Sequence, residues 1–448
     1  MMNPNAYHCI STEARLQSYA NKLFKENHVE VDFSDAVRDL TAETLTPLPC
    51  QNRLDLRTTP CFTIDCDDTK DMDDAVSLEK VDAGYRLGVH IADVAAYITL
   101  GSALDAEAIF RGTSIYLPQQ TVPMLPQVLS NDLCSLNPGT DRLTVSVLID
   151  LTENGAVTGY TISKSTIHSL LKGDYSQVNK IFKGQTNSKI TAKYASVADN
   201  LFEMKNLASK LRQARIQNGA NCSTDEECKI VVDGWSIEIT QRKRGDAEHM
   251  IEEFMILANR LVAEYFLKNR LPVVYRAQQA KGLRAIYTTQ QCHHAELSLE
   301  HYAHFTSPIR RLADLKVHQV LSAHLTGMDS ETLHNIFDDQ LAEAAERAKK
   351  RKNTADSITK ACQKYCIKMW AEMQPQESYP ARMVGRDALN RAIIEILPYH
   401  IKALGAATLS LCKGELLSCK IKTTRNNNML TAVAIKKQRQ SAPSLSII

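Results

Sequence analysis

The sequence predicts an α+β protein, with a mixed sheet and helices in its main domain and a small OB-like β-barrel behind that domain. Short alternating apolar runs follow one another from about residue 60 to 165, stripes at helical spacing come next, and strand patterns return from 378 to 437. At 448 residues the chain is long enough for two or three domains. We place their boundaries at 1–50 (a helical segment), 51–372 (the main domain), 376–437 (the barrel) and 438–448 (a disordered tail).

The first 50 residues contain two helical patterns. Ser11 can cap a helix whose apolar face is formed by Leu16, Tyr19, Ala20, Leu23 and Phe24. A second, shorter helix is expected to begin near Ser34. This pair suits either a nucleic-acid-binding hairpin or a cap that packs on the main domain, and we favour the packing cap.

Strands are expected at 61–64, 85–91 and 145–151, before the helices of the main domain begin. Leucine and methionine at helical spacing predict a helix over 196–217 that ends at Asn218 and Gly219, and a second helix over 245–268. Further helices are expected at 308–324 and 330–372, with the charged run 347–352 on a solvated face. Strands are then expected at 381–384, 392–397, 417–422 and 430–435, a pattern that suits a small barrel of nucleic-acid-binding type.

The overall charge of the chain provides no general attraction to nucleic acid. Fifty-three Lys and Arg against 51 Asp and Glu leave a net charge of +2, so a nucleic acid would have to lie in a locally basic groove. We find no signal-peptide pattern and no apolar stretch of membrane-spanning length. The twelve cysteines form no Cys-x-x-Cys pair, which favours reduced thiols over a zinc site or disulfides. We expect a cytoplasmic monomer with no membrane partner.

The most informative segment is an acidic run with six aspartates in ten residues, from Asp65 to Asp74. Apolar residues flank it at 61–64 and 75–78, so it is expected to lie inside the fold. Six carboxylates at this spacing repel one another, and burial would raise their pKa values. A divalent cation relieves that repulsion. Mg²⁺ prefers oxygen ligands and often takes only a few from the protein, with phosphate and water completing its shell. The run therefore predicts a Mg²⁺ site for phosphate chemistry.

Three other interpretations of the acidic run remain open at this point. A solvated acidic turn is disfavoured by the apolar flanks. A calcium loop of the EF-hand type would need Gly and Glu where Lys70 and Val76 stand. A phosphatase that forms an aspartyl-phosphate would use Asp65, Asp67 and Thr69, but it leaves the other aspartates without a role.

A second candidate site begins at Thr306 and Ser307. Pro308 follows them, and this order predicts a helix that starts at Pro308 with Ser307 as its cap. Free amide N–H groups at a helix N-terminus attract phosphate. We therefore expect Thr306 and Ser307 to lie next to a phosphate group.

Two arginines, Arg310 and Arg311, follow within the predicted first turn. Positive charge there opposes the helix dipole, so these side chains are poorly placed for helix stability alone. Bidentate binding of a phosphate would explain them. The alternative is pairing with a nearby acid, Asp314 or Glu300.

Seven segments in this order resemble the ribonuclease II / ribonuclease R (RNB) family of exoribonucleases. They are TIDCDDTKDMDDA (63–75), HIADV (90–94), YLP (116–118), PMLP (123–126), LSNDLCSL (129–136), IEEFM (251–255) and HFTSPIRR (304–311). The resemblance covers about residues 52 to 325. It implies an RNB-type domain with helices and sheet around an RNA channel, and a processive, Mg²⁺-dependent enzyme that degrades single-stranded RNA from its 3′ end to 5′-nucleotides.

The resemblance also implies roles for individual residues. By position, the family's four catalytic, metal-binding aspartates match Asp65, Asp71, Asp73 and Asp74, and its catalytic arginine matches Arg310. Tyr116 matches an aromatic residue that holds the 3′-terminal nucleotide. Glu252 or Glu253 matches an acidic residue near the terminal nucleotides. Our candidate RNA contacts are Tyr116, Glu252, Glu253, Thr306, Ser307 and Arg311. Mg²⁺ is the expected cofactor, with Mn²⁺ as a substitute.

The chain departs from the family pattern at several places. The family usually carries two cold-shock barrels before this domain, whereas about 50 helical residues stand here, so the chain resembles a short form. Leu312 stands where a tyrosine commonly follows the two arginines, and the C-terminal barrel resembles the family's RNA-binding module only weakly. These differences concern RNA capture and processivity more than the chemistry.

Overall fold

Two closed five-stranded β-barrels and a set of long helices make up the computed structural model. The structure describes residues 10–221, 226–374, 378–405, 411–424 and 427–437. The strands are β1 Leu54–Asp65, β2 Asp74–Val81, β3 Gly84–Ala92, β4 Ile115–Tyr116, β5 Thr121–Val122, β6 Asp141–Leu151, β7 Val157–Asp174, β8 Glu226–Asp233, β9 Ser236–Lys243, β10 Tyr275–Ala277, β11 Ile286–Thr288, β12 Ser378–Arg386, β13 Ala392–Ile396, β14 Ile401–Leu404, β15 Leu416–Thr424 and β16 Asn427–Lys437. The helices are α1 Thr12–Glu26, α2 Asp35–Arg38, α3 Ala103–Arg111, α4 Tyr175–Phe182, α5 Ser188–Tyr194, α6 Ala198–Gln217, α7 Asp246–Lys268, α8 Leu312–Leu325 and α9 Ser330–Met373.

The first barrel has the strand order β1-β2-β3-β6-β7 and closes where β1 pairs with β7 in parallel. Its other neighbours are antiparallel. Strand β3 is buried along almost its whole length, because side chains fill the barrel on one face and helices cover the other. The acidic run joins the end of β1 to the start of β2, so Asp65 and Asp74 lie at the same end of this barrel.

Helix α9 connects the two hydrophobic cores of the molecule. Its 44 residues span about 66 Å at 1.5 Å per residue. The N-terminal half, with Leu333 and Phe337, packs into the core around the first barrel. The C-terminal half, with Ile358 and Trp370, packs into a second core that includes the C-terminal barrel.

The prediction that residues 347–352 form only a solvated face is wrong for two arginines. Arg347 donates hydrogen bonds to the carbonyl oxygens of Ile109 and Phe110, and Arg351 donates to those of Phe110 and His28. The last carbonyls of α3 lack partners within their own helix, and cations there also favour the helix dipole. These two arginines therefore bind the end of α3 to α9.

The N-terminal helices pack on the rest of the molecule. The predicted cap of α1 is confirmed, since the Ala14 amide donates to Ser11 Oγ at 3.1 Å. Leu16 and Phe24 are buried in the second core, and Tyr19 stacks on Tyr365 of α9 with ring centroids 4.2 Å apart. This packing agrees with a packing cap, and a role of these helices in RNA binding stays a hypothesis.

The C-terminal barrel has the strand order β12-β13-β14-β16-β15, so the predicted small barrel is confirmed. The prediction missed β14 Ile401–Leu404, a four-residue strand whose pattern is too short to identify from sequence. It also missed the hairpin of β8 and β9. The tail predicted to be disordered, 438–448, lies outside the described residues. No helix in the described part of the chain is long and apolar enough to cross a membrane.

Candidate active site

The acidic loop, residues 66–73, is held in place through its backbone. Ser135 donates from its Oγ to the Lys70 carbonyl at 2.8 Å and accepts from the Met72 amide at 3.1 Å. Lys172 of β7 donates to the carbonyl oxygens of Asp67 and Thr69 at 2.8 and 2.6 Å. Because these bonds use no aspartate side chain, the fold can hold the loop against carboxylate repulsion and leave its carboxylates available.

Burial divides the six aspartates into two groups. Asp67 and Asp68 are exposed, whereas Asp73 is buried at 3% exposure and Asp65 and Asp74 are half-buried. Asp71 is also half-buried. The four aspartates that match the RNB pattern are thus the four that turn inward. This division disfavours the phosphatase interpretation, which requires Asp67 in the site.

The inward aspartates hold more negative charge than the surrounding protein compensates. Burial, together with the charges of Asp74 and Asp73, raises the pKa of Asp65 to about 8. Burial also raises the pKa of Asp73 to about 8, although Arg310 opposes that shift. The pKa of Asp74 rises to about 6 for the same reason, against the charges of Arg310 and Arg311. A bound cation would remove much of this penalty.

The predicted helix start at Pro308 is wrong, because α8 begins at Leu312. Arg311 forms an antiparallel bridge with Thr113, and the carbonyl of Arg310 accepts from the amide of Ser114 at 3.0 Å. The backbone at 310–311 is therefore paired with a neighbouring segment and cannot continue a helix. Thr306 and Ser307, both buried, lie in a turn before the helix and do not form its N-terminus. The free helix amides that would attract phosphate are therefore absent at these two residues.

Arg310 lies directly against the acidic loop. Its Nε donates to Asp73 Oδ2 at 3.1 Å and its Nη2 donates to Ser307 Oγ at 2.7 Å. The Ile309 amide donates to the other oxygen of Asp73 at 2.8 Å. Burial lowers the pKa of Arg310, but the nearby negative charge of Asp73 outweighs this effect and keeps the pKa above its usual value. The arginine is thus charged, and 40% of its side chain remains exposed.

Arg311 points away from this arrangement. Its Nη2 donates to Asp314 Oδ1 at 2.7 Å and makes a longer contact with Thr306 Oγ1 at 3.5 Å. The alternative interpretation, an arginine paired with Asp314, is therefore correct for Arg311. The two neighbouring arginines differ in environment, and Arg310 alone contacts the acidic loop.

Tyr116 lies beside the acidic loop. It belongs to the small hairpin of β4 and β5, and its hydroxyl donates to Asp71 at 2.5 Å. Burial of the hydroxyl and the charge of Asp71 raise the pKa of Tyr116, so it remains a neutral donor. The residue is nevertheless 42% exposed, which leaves ring surface open to a ligand. Helix α1 supports this hairpin, since Gln17 donates to Gln120 at 3.2 Å.

Glu252 and Glu253 on α7 both face arginines. Glu253 is 3% exposed and binds Arg215 with both oxygens, at 3.0 and 2.5 Å. Glu252 accepts from Arg244 at 2.9 Å, and 27% of its side chain is exposed. Glu252 is therefore the more accessible of the two carboxylates.

An open groove of about 970 Å³ begins beside the acidic loop. The β8–β9 hairpin forms one wall, and α4 with the loop after it forms the other. Its cationic lining residues are Lys180, Lys183, Lys229, Arg242, Lys243 and Arg244. Arg242 contacts Glu248 at 3.4 Å and Arg244 contacts Glu252, whereas none of the four lysines pairs with an acidic side chain among the described residues. This surface was not predicted from the sequence, although Asp233-Gly234 between two apolar runs is a hairpin signal.

The fit of a metal ion depends on the ligand set. Among the described residues, no group of three or more His, Cys, Asp or Glu side chains is arranged to hold a metal with protein ligands alone. Asp71 and Asp73 are occupied by Tyr116 and Arg310. Asp65 and Asp74 accept no hydrogen bond at their side chains from any described residue. Mg²⁺ commonly takes one or two carboxylates and completes its shell with substrate phosphate and water. The residues thus suit Mg²⁺ that binds together with a phosphate, and they do not form a preformed metal cage.

Comparison with known proteins identifies the family. The sequence profile of the RNB domain matches residues 53–286 and 282–327, more than half of the chain. The chain belongs to the RNB family. Ribonuclease R of Thermotoga maritima is 37% identical over 363 residues, which is 68% of this chain and 51% of the relative. Ribonuclease R of Escherichia coli is 36% identical over 325 residues, covering 60% and 40% of the two chains. This RNB-family chain spans about half the length of the relatives it matches.

Solved structures show the same fold. Mycoplasma genitalium ribonuclease R in complex with ribose-methylated single-stranded RNA superposes with a TM-score of 0.79 at 22% identity, covering 93% of this chain and 74% of that one. Yeast Ssd1, described as a pseudonuclease, superposes with a TM-score of 0.67 at 17% identity and covers 90% of this chain and 58% of that one. The predicted RNB-type fold is thus confirmed. The likeness to Ssd1 indicates that this fold is compatible with the absence of nuclease activity.

Proposed function

We propose that this RNB-family protein is a Mg²⁺-dependent hydrolytic 3′-to-5′ exoribonuclease that degrades single-stranded RNA processively to 5′-nucleotides. The observation that carries the proposal is the joining of the two candidate sites at one point. Arg310 binds Asp73 of the acidic loop although 237 positions separate the two residues. A charged, partly exposed arginine beside buried carboxylates is suited to phosphate transfer, in which negative charge develops on the phosphate.

Asp65, Asp71, Asp73 and Asp74 are the residues that would hold the metal. When bound there, Mg²⁺ would activate a water molecule and stabilise the leaving oxygen, and Mn²⁺ is expected to substitute. In the reaction, the water oxygen bonds to the phosphorus of the last linkage and the bond from phosphorus to the 3′-oxygen breaks. The 3′-oxygen takes up a proton, leaving a nucleoside 5′-phosphate and an RNA shortened by one residue.

Arg310 is proposed to bind the reacting phosphate. Its guanidinium is planar and offers donors in a fork that matches two phosphate oxygens. Two of its donors are engaged by Asp73 and Ser307, so the side chain is held in one orientation before substrate arrives. This preorganisation favours stabilisation of charge in the transition state.

Tyr116 is proposed to hold the 3′-terminal nucleotide by stacking on its base. The hydrogen bond to Asp71 fixes the ring beside the acidic loop, and the exposed ring surface is available to any base. Of the two glutamates, Glu252 is the better candidate to accept a hydrogen bond from the ribose 2′-OH, because Glu253 is buried against Arg215. RNA should then be shortened from its 3′ end, while DNA of the same sequence is bound but hardly cut.

The lysine-lined groove is proposed as the path of the RNA backbone into the site. The four lysines without an acidic partner provide positive charge along a surface that ends at the acidic loop. Replacing Lys180 and Lys229 by Ala should lower the slope of log binding constant against log salt by about 0.7 for each phosphate that the protein no longer binds. Lys349, which pairs with Glu346 on the exposed face of α9, provides a control position where the slope should not change.

The second candidate is a non-catalytic RNA-binding regulator built on the same fold. The structural likeness to a protein described as a pseudonuclease favours keeping this candidate. Loss of one of the four aspartates would support it, but all four are present and turn inward.

A pair of labelled RNAs tests the proposal. The same single-stranded RNA, labelled either at its 3′ end or at its 5′ end, is incubated with the protein and Mg²⁺. The proposal expects the 3′ label to appear at once as a mononucleotide 5′-phosphate, while the 5′ label stays on a body that shortens. Binding without any product from either RNA would favour the regulator.

A further inference from the structure

The turn that carries Arg310, residues 306–311, is held from two sides by buried aspartates. On one side, Asp73 accepts from the Ile309 amide at 2.8 Å and from Arg310 Nε at 3.1 Å. On the other, Asp314 accepts from the Ser307 amide at 2.8 Å and from Arg311 Nη2 at 2.7 Å. Each aspartate therefore binds one backbone amide and one arginine of the same turn.

Asp314 reaches Arg310 through Ser307. Because Asp314 fixes the Ser307 backbone, it also fixes Ser307 Oγ, which accepts from Arg310 Nη2 at 2.7 Å. Asp314 also draws Arg311 away from the acidic loop. The turn consequently presents one arginine to the site, held at Nε by Asp73 and at Nη2 by Ser307.

Stability alone is a poor explanation for Asp314. The residue is 0% exposed, and its Oδ2 has no hydrogen-bond partner among the described residues. The Nε of Arg311 is likewise buried and has no hydrogen-bond partner among the described residues. A buried pair joined by a single bond, with an unsatisfied atom on each side, is a costly way to stabilise a helix start. A positional requirement accounts for it better.

We infer that Asp314 is a positioning residue for the proposed phosphate-binding arginine, acting through the Ser307 backbone and hydroxyl and through the pairing of Arg311. This inference rests on the proposed function for its catalytic consequence. The geometric part does not depend on activity, so the two can be tested separately.

The kinetic test is a cycle of Asp314→Asn, Ser307→Ala and the double variant, with a short RNA oligonucleotide as substrate. Each single variant should lower kcat about 10-fold with KM changed less than 2-fold, because the affected contact is to the reacting phosphate and not to the RNA body. If Asp314 acts through Ser307, the double variant should be little slower than either single variant, because the two residues belong to one chain of contacts. Independent effects that multiply to about 100-fold would overturn the inference.

Asp105→Asn is the matched control. Asp105 is an equally buried aspartate in the first turn of α3, paired with Lys316 at 2.8 Å. Its replacement should lower the thermal unfolding temperature without changing kcat per folded molecule. An equal decrease of kcat in Asp105→Asn and Asp314→Asn would reduce Asp314 to a structural role.

A spectroscopic readout separates this inference from the proposed activity. In protein labelled with ¹⁵N-arginine, the Nε–H signal of Arg310 is identified by its absence in Arg310→Lys. In Asp314→Asn that signal should shift or broaden, even if the wild-type protein does not cleave RNA. An unchanged Arg310 signal in folded Asp314→Asn would contradict the inference, whereas a wild-type protein with no product would contradict only the proposed function.

Discussion

Replacing Asp65 by Asn should stabilise the metal-free protein, and by an amount that grows with pH. The folded protein holds the pKa of Asp65 at about 8 through burial and the charges of Asp74 and Asp73, whereas an unfolded chain gives an aspartate a pKa near 3.9. Below about pH 4 both states are protonated and the carboxyl group costs nothing. As pH rises from 4 towards 8, the unfolded chain has already released the proton that the fold retains. The free energy of unfolding therefore falls by about 1.4 kcal/mol per pH unit and levels off above pH 8.

Between pH 5 and pH 7 this penalty grows by about 2.7 kcal/mol for one such carboxyl group. Asn has no ionisable proton, so the Asp65→Asn variant does not carry this penalty. Asp65 accepts no hydrogen bond at its side chain from any described residue, so the substitution removes an ionisable group and leaves the hydrogen bonds of the loop in place.

Urea unfolding, followed by circular dichroism at pH 5, 6 and 7 in the presence of a chelator, measures this difference. The stability of Asp65→Asn relative to wild type should increase by about 2 to 3 kcal/mol across the series. Asp68→Asn is the control for loss of a carboxylate from the same loop, because the Asp68 side chain is exposed to solvent. Millimolar Mg²⁺ should stabilise the wild type by mass action and so reduce the difference in stability between Asp65→Asn and wild type. A stability difference between Asp65→Asn and wild type that is the same at all three pH values would contradict the raised pKa of Asp65.

Four other perturbations have expected results. Asp73→Asn should reduce turnover by about 10²-fold or more with RNA affinity retained, measured by kcat and filter binding, and near-normal turnover would contradict the assignment. Arg310→Lys should lose most activity while circular dichroism shows a folded protein, because an ammonium cannot replace a bidentate guanidinium; wild-type rates would point to Arg311 or to a structural ion pair. Removal of residues from 376 onward should weaken binding of long RNA and leave cleavage of very short oligonucleotides intact. If deleting residues 1–45 from a still-folded protein costs more RNA affinity, the N-terminal helices are the capture element.

The parts of the site that could be predicted from sequence are those where local pattern and chemistry agree. The acidic run lies between two apolar strands in sequence, so its position at a strand end can be predicted from the sequence alone. Helices α6 and α7 match their predicted ranges because long stripes at 3.6-residue spacing resemble little else. The family resemblance then separated four aspartates from six, a choice that burial in the structure supports.

The parts that could not be predicted depend on partners that are distant in sequence. The start of α8 is displaced by four residues because Thr113 and Ser114 bind the backbone of Arg310 and Arg311, and no local signal reveals that pairing. The same holds for Glu253, whose partner Arg215 lies on another helix. Propensity and capping rules describe one segment at a time, so tertiary contacts of this kind override them.

The most direct test of cleavage from an RNA end at this site compares one RNA sequence in linear and covalently closed circular form. Both are incubated with wild-type protein and Mg²⁺, with Asp73→Asn as the inactive control. A 3′-to-5′ exoribonuclease should convert the linear RNA to mononucleotide 5′-phosphates and leave the circle intact. Linearised circles, or products of equal yield from wild type and Asp73→Asn, would contradict it.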